Sequence, residues 1–183
     1  MLRSTPQLRV VRAQPEADVD TRDLDALYRR FAPYVAAVGV RLLGRDGEID
    51  DLVQDVFLNA MRGLAQLRDA HAVKGWLARV TVRLSVRRLR KRRVLAALHL
   101  DDRAGDYEQL AGPDTSAEQK ALLARVYGAL DRLPAQTRVI WILRHVLDEP
   151  LHSIGPLSGC SQSTVQRRLR EAESALAKEL DHA

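Results

Sequence analysis

Ile49, Leu52, Val53, Val56, Phe57, Ala60, Met61 and Leu64 follow one another at the three- and four-residue spacing of a helix, without a gap. The opposite face carries Glu48, Asp50, Asp51, Gln54, Asp55 and Asn59. Acidic residues crowd its N-terminal half, where the helix dipole favours negative charge. A chain carrying this segment must build helices around it, and the rest of the sequence agrees. Leu24, Leu27, Phe31, Val38 and Leu42 recur at helical spacing, with a kink or break expected at Pro33 and an end at Gly44 and Gly47. Val73, Leu77, Val80 and Leu84 mark a third helix from about Ala72, with Trp76 beside the stripe. Leu122, Val126, Leu130 and Leu133 mark a fourth that stops before Pro134, and Val139, Ile140, Leu143, Val146 and Leu147 a fifth. Asp148, Glu149 and Pro150 form a turn, and two further helices follow. The expected fold is all-α: two small helical bundles joined by an acidic flexible linker, the second containing a helix-turn-helix.

Charge is segregated along the chain. The formal total is +5, yet residues 71–98 hold nine basic and no acidic side chains, while residues 99–118 hold six acidic and one basic. Arg79, Arg83, Arg87 and Arg90 run along one face of the third helix, and six of the seven residues 87–93 are basic. Such a run is usually a solvated face. Its purity and length, with Trp76 nearby, favour phosphate contact driven by counterion release. Trp76 itself reads more readily as a core residue than as a stacking platform. The acidic stretch lacks helical periodicity and contains Gly105, Gly112 and Pro113, which makes it a linker. These segments divide the chain into a disordered tail (1–22), a helical domain (23–98), the linker (99–118) and a second helical domain (119–183).

The C-terminal region fits a helix-turn-helix. Ile154 is the apolar packing residue, Gly155 the small one, Gly159 the turn residue needing positive φ, and Ser161 an N-cap for the second helix. Val165, Leu169, Ala172 and Leu176 face inward, so Gln162, Ser163, Gln166, Arg167 and Arg170 point out, where they can reach base edges and phosphates of a major groove. Pro156 is tolerable if it falls in the first turn of its helix. The single cysteine, Cys160, excludes an intramolecular disulfide and reads as a small turn-packing residue. No HExxH or phosphate-binding glycine loop is present, and the five scattered histidines read as structural or solvated, so no enzyme, metal site, cofactor or small-molecule substrate is expected. No apolar run reaches the ~20 residues of a membrane span, and the N-terminus lacks a secretory pattern, which predicts a cytoplasmic protein.

Three stretches together resemble the extracytoplasmic-function (ECF) sigma factors, over about residues 23–95 and 119–180. Asp50-Asp51-Leu52-Val53-Gln54-Asp55-Val56-Phe57 is similar to the family's D-L-V-Q-(D/E)-x-F helix. The resemblance implies docking of this helix on the clamp helices of the largest subunit of bacterial core RNA polymerase, with polar contacts from Asp51, Gln54 and Asp55 and with Leu52 and Phe57 in the same motif. Trp76-Leu77, Arg79, Leu84 and Arg88-Leu89-Arg90 resemble the helix that reads and helps open the −10 element. This implies a −10 DNA surface of Trp76, Arg79, Arg83, Arg87, Arg88, Arg90 and Lys91. Arg83 and Arg87 stand where the family has Asn and Asp, and both changes add charge. Leu133-Pro134 with Arg138, then Ser153-Ile154-Gly155 through Arg168-Leu169, is similar to the region that reads the −35 element. Here Gln162, Ser163, Thr164, Gln166, Arg167, Arg168 and Arg170 are implied on DNA. Gln166, Arg167 and Glu171 replace a common Lys, Ser and Arg, so the −35 sequence is expected to be this protein's own. The implied partners are core RNA polymerase, promoter DNA and, as for most of the family, an anti-sigma factor. The rival readings are a sigma-like helix-turn-helix regulator that never engages polymerase and an RNA- or protein-binding adaptor using the basic helix.

Overall fold

The computed structural model describes residues 23–44, 47–63, 72–100, 107–112 and 114–181. The expected tail (1–22) and part of the expected linker (101–106) lie outside the described residues. Seven α-helices and one 3-10 turn, with no strand among the described residues, make the chain all-α. They are α1 (Leu24–Leu43), α2 (Ile49–Gly63), α3 (Val73–Ala97), the 3-10 turn Tyr107–Leu110, α4 (Ala117–Arg132), α5 (Ala135–His145), α6 (Leu151–Ser158) and α7 (Gln162–Asp181).

Local chemistry sets most of the boundaries. Asp23 caps α1 by accepting from the Ala26 N–H at 3.0 Å. Gly44 ends it in the left-handed region, at φ 68°, donating to the Val40 carbonyl. The helix runs through Pro33 without the expected break: the proline is on the exposed side, where the carbonyl it leaves unbonded meets water. Ser116 and Gln119 form a reciprocal capping box that starts α4, two residues inside the expected linker. Part of the expected linker lies among the described residues and packs on the second bundle. Residues 107–110 form the 3-10 turn, Leu110 is buried, and Tyr107 lies 5.4 Å from the Tyr127 ring.

Helices α1–α3 form one bundle and α4–α7 another. Leu27, Val35, Leu42, Leu52, Val56 and Leu77 fill the first, and Leu130, Val139, Ile140, Ile142, Ile154 and Val165 the second. Each such side chain contributes roughly 1.5–3 kcal/mol through burial. The bundles press together into one continuous apolar core. Across the boundary, the Tyr127 hydroxyl donates to the Arg41 carbonyl at 3.0 Å and Arg138 Nε donates to the Leu42 carbonyl at 3.3 Å. Two apolar expectations fail. Met61, counted on the core face of α2, and Leu122, counted on that of α4, are exposed, because each stands at the edge of its helix's buried stripe.

Candidate nucleic-acid interface

Helix α2 presents two different faces. Asp50, Asp51 and Gln54 are exposed and Asp55 is half-buried. Leu52 and Phe57, expected with them at a partner surface, are 0% and 4% exposed. They hold the helix in the bundle, and Phe57 packs edge-on against Tyr28 at 4.9 Å, so neither can touch a partner. The exposed stripe instead continues through Leu58 and Met61, which are 47% and 60% exposed. Residues 51, 54, 58 and 61 lie three or four apart and share a face. Apolar periodicity hid Met61, which it counted with the core, while Leu58 lies off the apolar stripe and its spacing could have flagged it.

Helix α3 lies against α2, and its arginines divide between the two sides. Arg79, Arg83, Arg87, Arg90 and Lys91 are exposed. Arg88, expected on DNA, turns toward α2 and pairs with Asp55 at 2.5 Å. Arg92 also turns inward, pairing with Glu48 at 2.8 Å and donating to the Leu43 carbonyl at 2.9 Å. Two members of the basic run therefore find counter-charges at and just before α2, which a count along the segment could not show. Buried Thr81 bends its hydroxyl back to the Leu77 carbonyl at 2.8 Å, which satisfies it without a tertiary partner. Trp76 is half-buried and lies on Gly63, where an added Cβ would stand 2.5 Å from its ring. Trp76 also lines a groove of about 670 Å³ between α3 and α6, with Arg79, Arg83, Arg87 and Arg90 on one wall and Pro156, Leu157 and Gly159 on the other.

The helix-turn-helix is formed by α6 and α7. Gly159 adopts φ 68°, and the Cys160 N–H donates to the Gly155 carbonyl at 3.1 Å. A Cβ on Gly155 would stand 3.0 Å from the Cys160 carbonyl oxygen, which explains the small residue. The Ser161 hydroxyl accepts from the Thr164 N–H at 3.3 Å. Pro156 is the sixth residue of α6, not in its first turn as expected. It is exposed and only two residues from the end of the helix, so the hydrogen bond it forfeits is on the solvent side. Val165, Leu169, Ala172 and Leu176 are buried, leaving Gln162, Ser163, Gln166, Arg167 and Arg170 exposed. Arg167 pairs with Glu171 one turn on. Thr164 is half-buried. Arg168 leans on α5, donating to the Thr137 hydroxyl at 3.3 Å, with its Nε buried, so it braces the motif more than it faces outward.

Burial perturbs three groups, all at or near the boundary between the bundles. Burial pushes the Tyr127 hydroxyl up to about 12 against the opposing pull of Arg138 and Arg41. Burial, helped by Glu149, raises Tyr34 to about 12. Burial also raises the Glu149 carboxyl, while Lys74 draws it down. Lys74 itself lies 5.2 Å from the Tyr34 ring centre.

The sigma-70 region 2 family matches residues 27–94, the span of α1–α3. The ECF sigma factor SigE of Mycolicibacterium smegmatis is 27% identical over 156 residues, 83% of this chain and 59% of its own length. The RNA polymerase sigma-H factor of Pseudomonas aeruginosa is 25% identical over 169 residues, 88% of each chain. Among solved structures, the sigma factor RpoE from Bartonella quintana, in complex with the anti-sigma factor NepR, superposes with a TM-score of 0.63 at 20% identity, covering 87% of this chain and 97% of that one. The bundle of α1–α3 is a sigma-70 region 2 domain. Over most of its length the chain is similar to extracytoplasmic-function (ECF) sigma factors. No helix among the described residues is long and apolar enough to cross a membrane.

Proposed function

We propose that this protein binds bacterial core RNA polymerase and directs it to specific promoters, and that the two bundles divide the work. The observation that carries the reading is the sigma-70 region 2 match over α1–α3, where α2 carries an exposed acidic face and α3 an exposed arginine face. Asp51, Gln54 and Asp55 of α2 dock on the polymerase clamp helices, extended by Leu58 and Met61, whose exposed apolar surface suits burial against a partner. Arg79, Arg83, Arg87, Arg90 and Lys91 hold phosphates at the −10 element, with Trp76 at the edge of the same surface. Helix α7 enters the major groove at the −35 element, read by Gln162, Ser163, Gln166, Arg167 and Arg170. Two modest DNA contacts on one chain gain through effective concentration once polymerase fixes their spacing.

The protein supplies recognition and carries out no bond chemistry of its own. It works in the cytoplasm, where core polymerase and promoters are. An anti-sigma factor belongs to this reading too, by analogy with the Bartonella protein, which was crystallised with one. Domain two spans 23–98 and domain four 119–183. The test is co-elution with bacterial core RNA polymerase on a sizing column, followed by promoter-directed transcription. A stable complex that initiates from a defined promoter is the expected result. A folded protein that elutes apart from core polymerase would overturn the reading and favour a sigma-like regulator.

A further inference from the structure

We propose that the pocket between the C-terminal end of α3 and the start of α5 binds a small amphipathic anion, a carboxylate or phosphate head on an aliphatic chain. The pocket measures about 710 Å³, within the range of small-molecule sites. Residues 90, 93, 94, 97 and 98 of α3 line it at three- and four-residue spacing, so they share one face of the helix. Along that face the chemistry changes from two arginines to Val94, Ala97 and Leu98. Val94 and Leu98 are each 60% exposed, because α3 here extends beyond the bundle that buries its earlier turns. Pro134 and Gln136 at the start of α5 line the pocket as well, together with Arg168 of α7. No aspartate or glutamate among the described residues lines it.

Three guanidinium groups thus meet around one cavity without a counter-charge. Their neighbours Arg88 and Arg92 find Asp55 and Glu48, but Arg90, Arg93 and Arg168 have no ion-pair partner among the described residues. Arg90 donates to the Gln136 side-chain oxygen at 3.3 Å. The Gln136 amide is itself held by the Ser158 carbonyl and Cys160 Sγ, each at 2.9 Å, so what faces Arg90 is a neutral acceptor. Arg168 donates from Nη1 to the Thr137 hydroxyl, while its Nε is buried without a hydrogen-bond partner. It therefore has donor capacity that the protein does not use. The start of α5 adds to the positive field. Pro134 offers no side-chain cap, which leaves the first N–H groups of the helix unused beside the arginines.

Simpler ligands satisfy only half of this pocket. An inorganic anion answers the arginines but leaves Val94, Ala97 and Leu98 in water. An uncharged hydrocarbon covers those three and leaves like charges facing one another. An anionic head on an aliphatic chain does both, with charge-assisted hydrogen bonds at one end and apolar burial at the other. The lining holds no aromatic ring, which suits a flexible chain better than a nucleobase. Arg90 also stands on the surface assigned to −10 phosphates, so a bound anion occupies a side chain that promoter DNA uses. That consequence rests on the sigma reading, whereas the site itself does not.

The experiment is calorimetric titration of the full chain, with no polymerase or DNA present, by octanoate, decanoate and dodecanoate below their micelle concentrations. One-site binding is expected, tightening about two- to fourfold for each added methylene. Arg93→Glu reverses one of the three charges, and Ala97→Trp fills the pocket without changing charge. Both positions are exposed, and circular dichroism with thermal melts checks that each variant is folded. Each should weaken dodecanoate binding at least about tenfold. Undiminished binding by both folded variants, or no binding by the parent, would overturn the proposal. So would dodecyltrimethylammonium binding as tightly as dodecanoate, which would make the arginines irrelevant, or inorganic phosphate doing so, which would make the aliphatic strip irrelevant. Co-sedimentation with phosphatidylglycerol vesicles separates a free ligand from a bilayer: a parent that pellets with vesicles yet binds no soluble dodecanoate refutes the free-ligand site. Failure of the sigma reading would appear separately, as a parent protein that elutes apart from core polymerase.

Discussion

Asp55 is asked to do two things, and their magnitudes separate them. Its carboxylate pairs with Arg88 at 2.5 Å while remaining 49% exposed, and it lies in the stripe assigned to polymerase. An ion pair so open to water contributes about 0.2–1 kcal/mol. Asp55→Asn should therefore lower the melting temperature by at most about 4 °C, at roughly 2–4 °C per kcal/mol for a chain of this size. Taking a docking charge away from the polymerase interface should weaken binding at least about tenfold, or about 1.4 kcal/mol. Arg88→Gln removes the same ion pair but leaves the carboxylate free to dock. Thermal melts and titration of labelled core polymerase on the two single variants and the double variant complete a double-mutant cycle. The expected pattern is equal, small losses of stability for both single variants and a loss of polymerase affinity for Asp55→Asn alone. If Arg88→Gln weakens polymerase binding as much as Asp55→Asn, Asp55 acts by holding α3 in place and the docking assignment is wrong.

Other perturbations have opposed or graded outcomes. Gly159→Ala forces an L-residue into φ 68° with no crowding to blame, so it should cost about 1–2 kcal/mol, whereas Gly128→Ala, within α4 and with open space at its Cβ, should gain about 0.5–1 kcal/mol; paired thermal melts read both. Tyr127 keeps its proton in the folded state up to about pH 12, while the unfolded chain releases it near pH 10, so its contribution is intact below pH 10 and is lost as pH rises to about 12. Two units correspond to a loss on the order of 3 kcal/mol, and Tyr127→Phe should flatten the denaturation midpoint over pH 10–12. In promoter assays with the assembled polymerase, Arg167→Ala should change base preference at the −35 element, while Lys91→Ala should weaken all promoters alike and reduce the salt dependence by about one counterion.

Local features were legible in the sequence, and relations between distant segments were not. Gly159, Ser161, Val165 and Leu169 announced the helix-turn-helix because turn geometry, capping and a buried stripe are set within a few residues. The arginine face at 79, 83, 87 and 90 follows from helical spacing in the same way. Leu52 and Phe57 were placed at a partner surface by motif similarity, although their spacing already put them in the core. The resemblance puts Arg88 and Arg168 on DNA because a motif cannot see Asp55 or Thr137 on another helix. Arg138 was noted only as part of a motif. Its burial beneath the end of α1 depends on a partner 96 residues away in sequence, beyond the reach of any periodicity.

That separation in sequence has a consequence for synthesis. Ribosomes add about 5–20 residues per second, so the Arg41 and Leu42 carbonyls, whose partners are 86 and 96 residues downstream, wait roughly 5–20 s for them. During that interval α1, α2 and α3 can fold while the partner helices are still unmade. The newborn first bundle therefore folds with the Arg41 and Leu42 carbonyls open to water, where the finished protein has them taken by Tyr127 and Arg138. A polymerase or an inhibitor that reaches the nascent chain in that window meets a different molecule from the one that later leaves the ribosome.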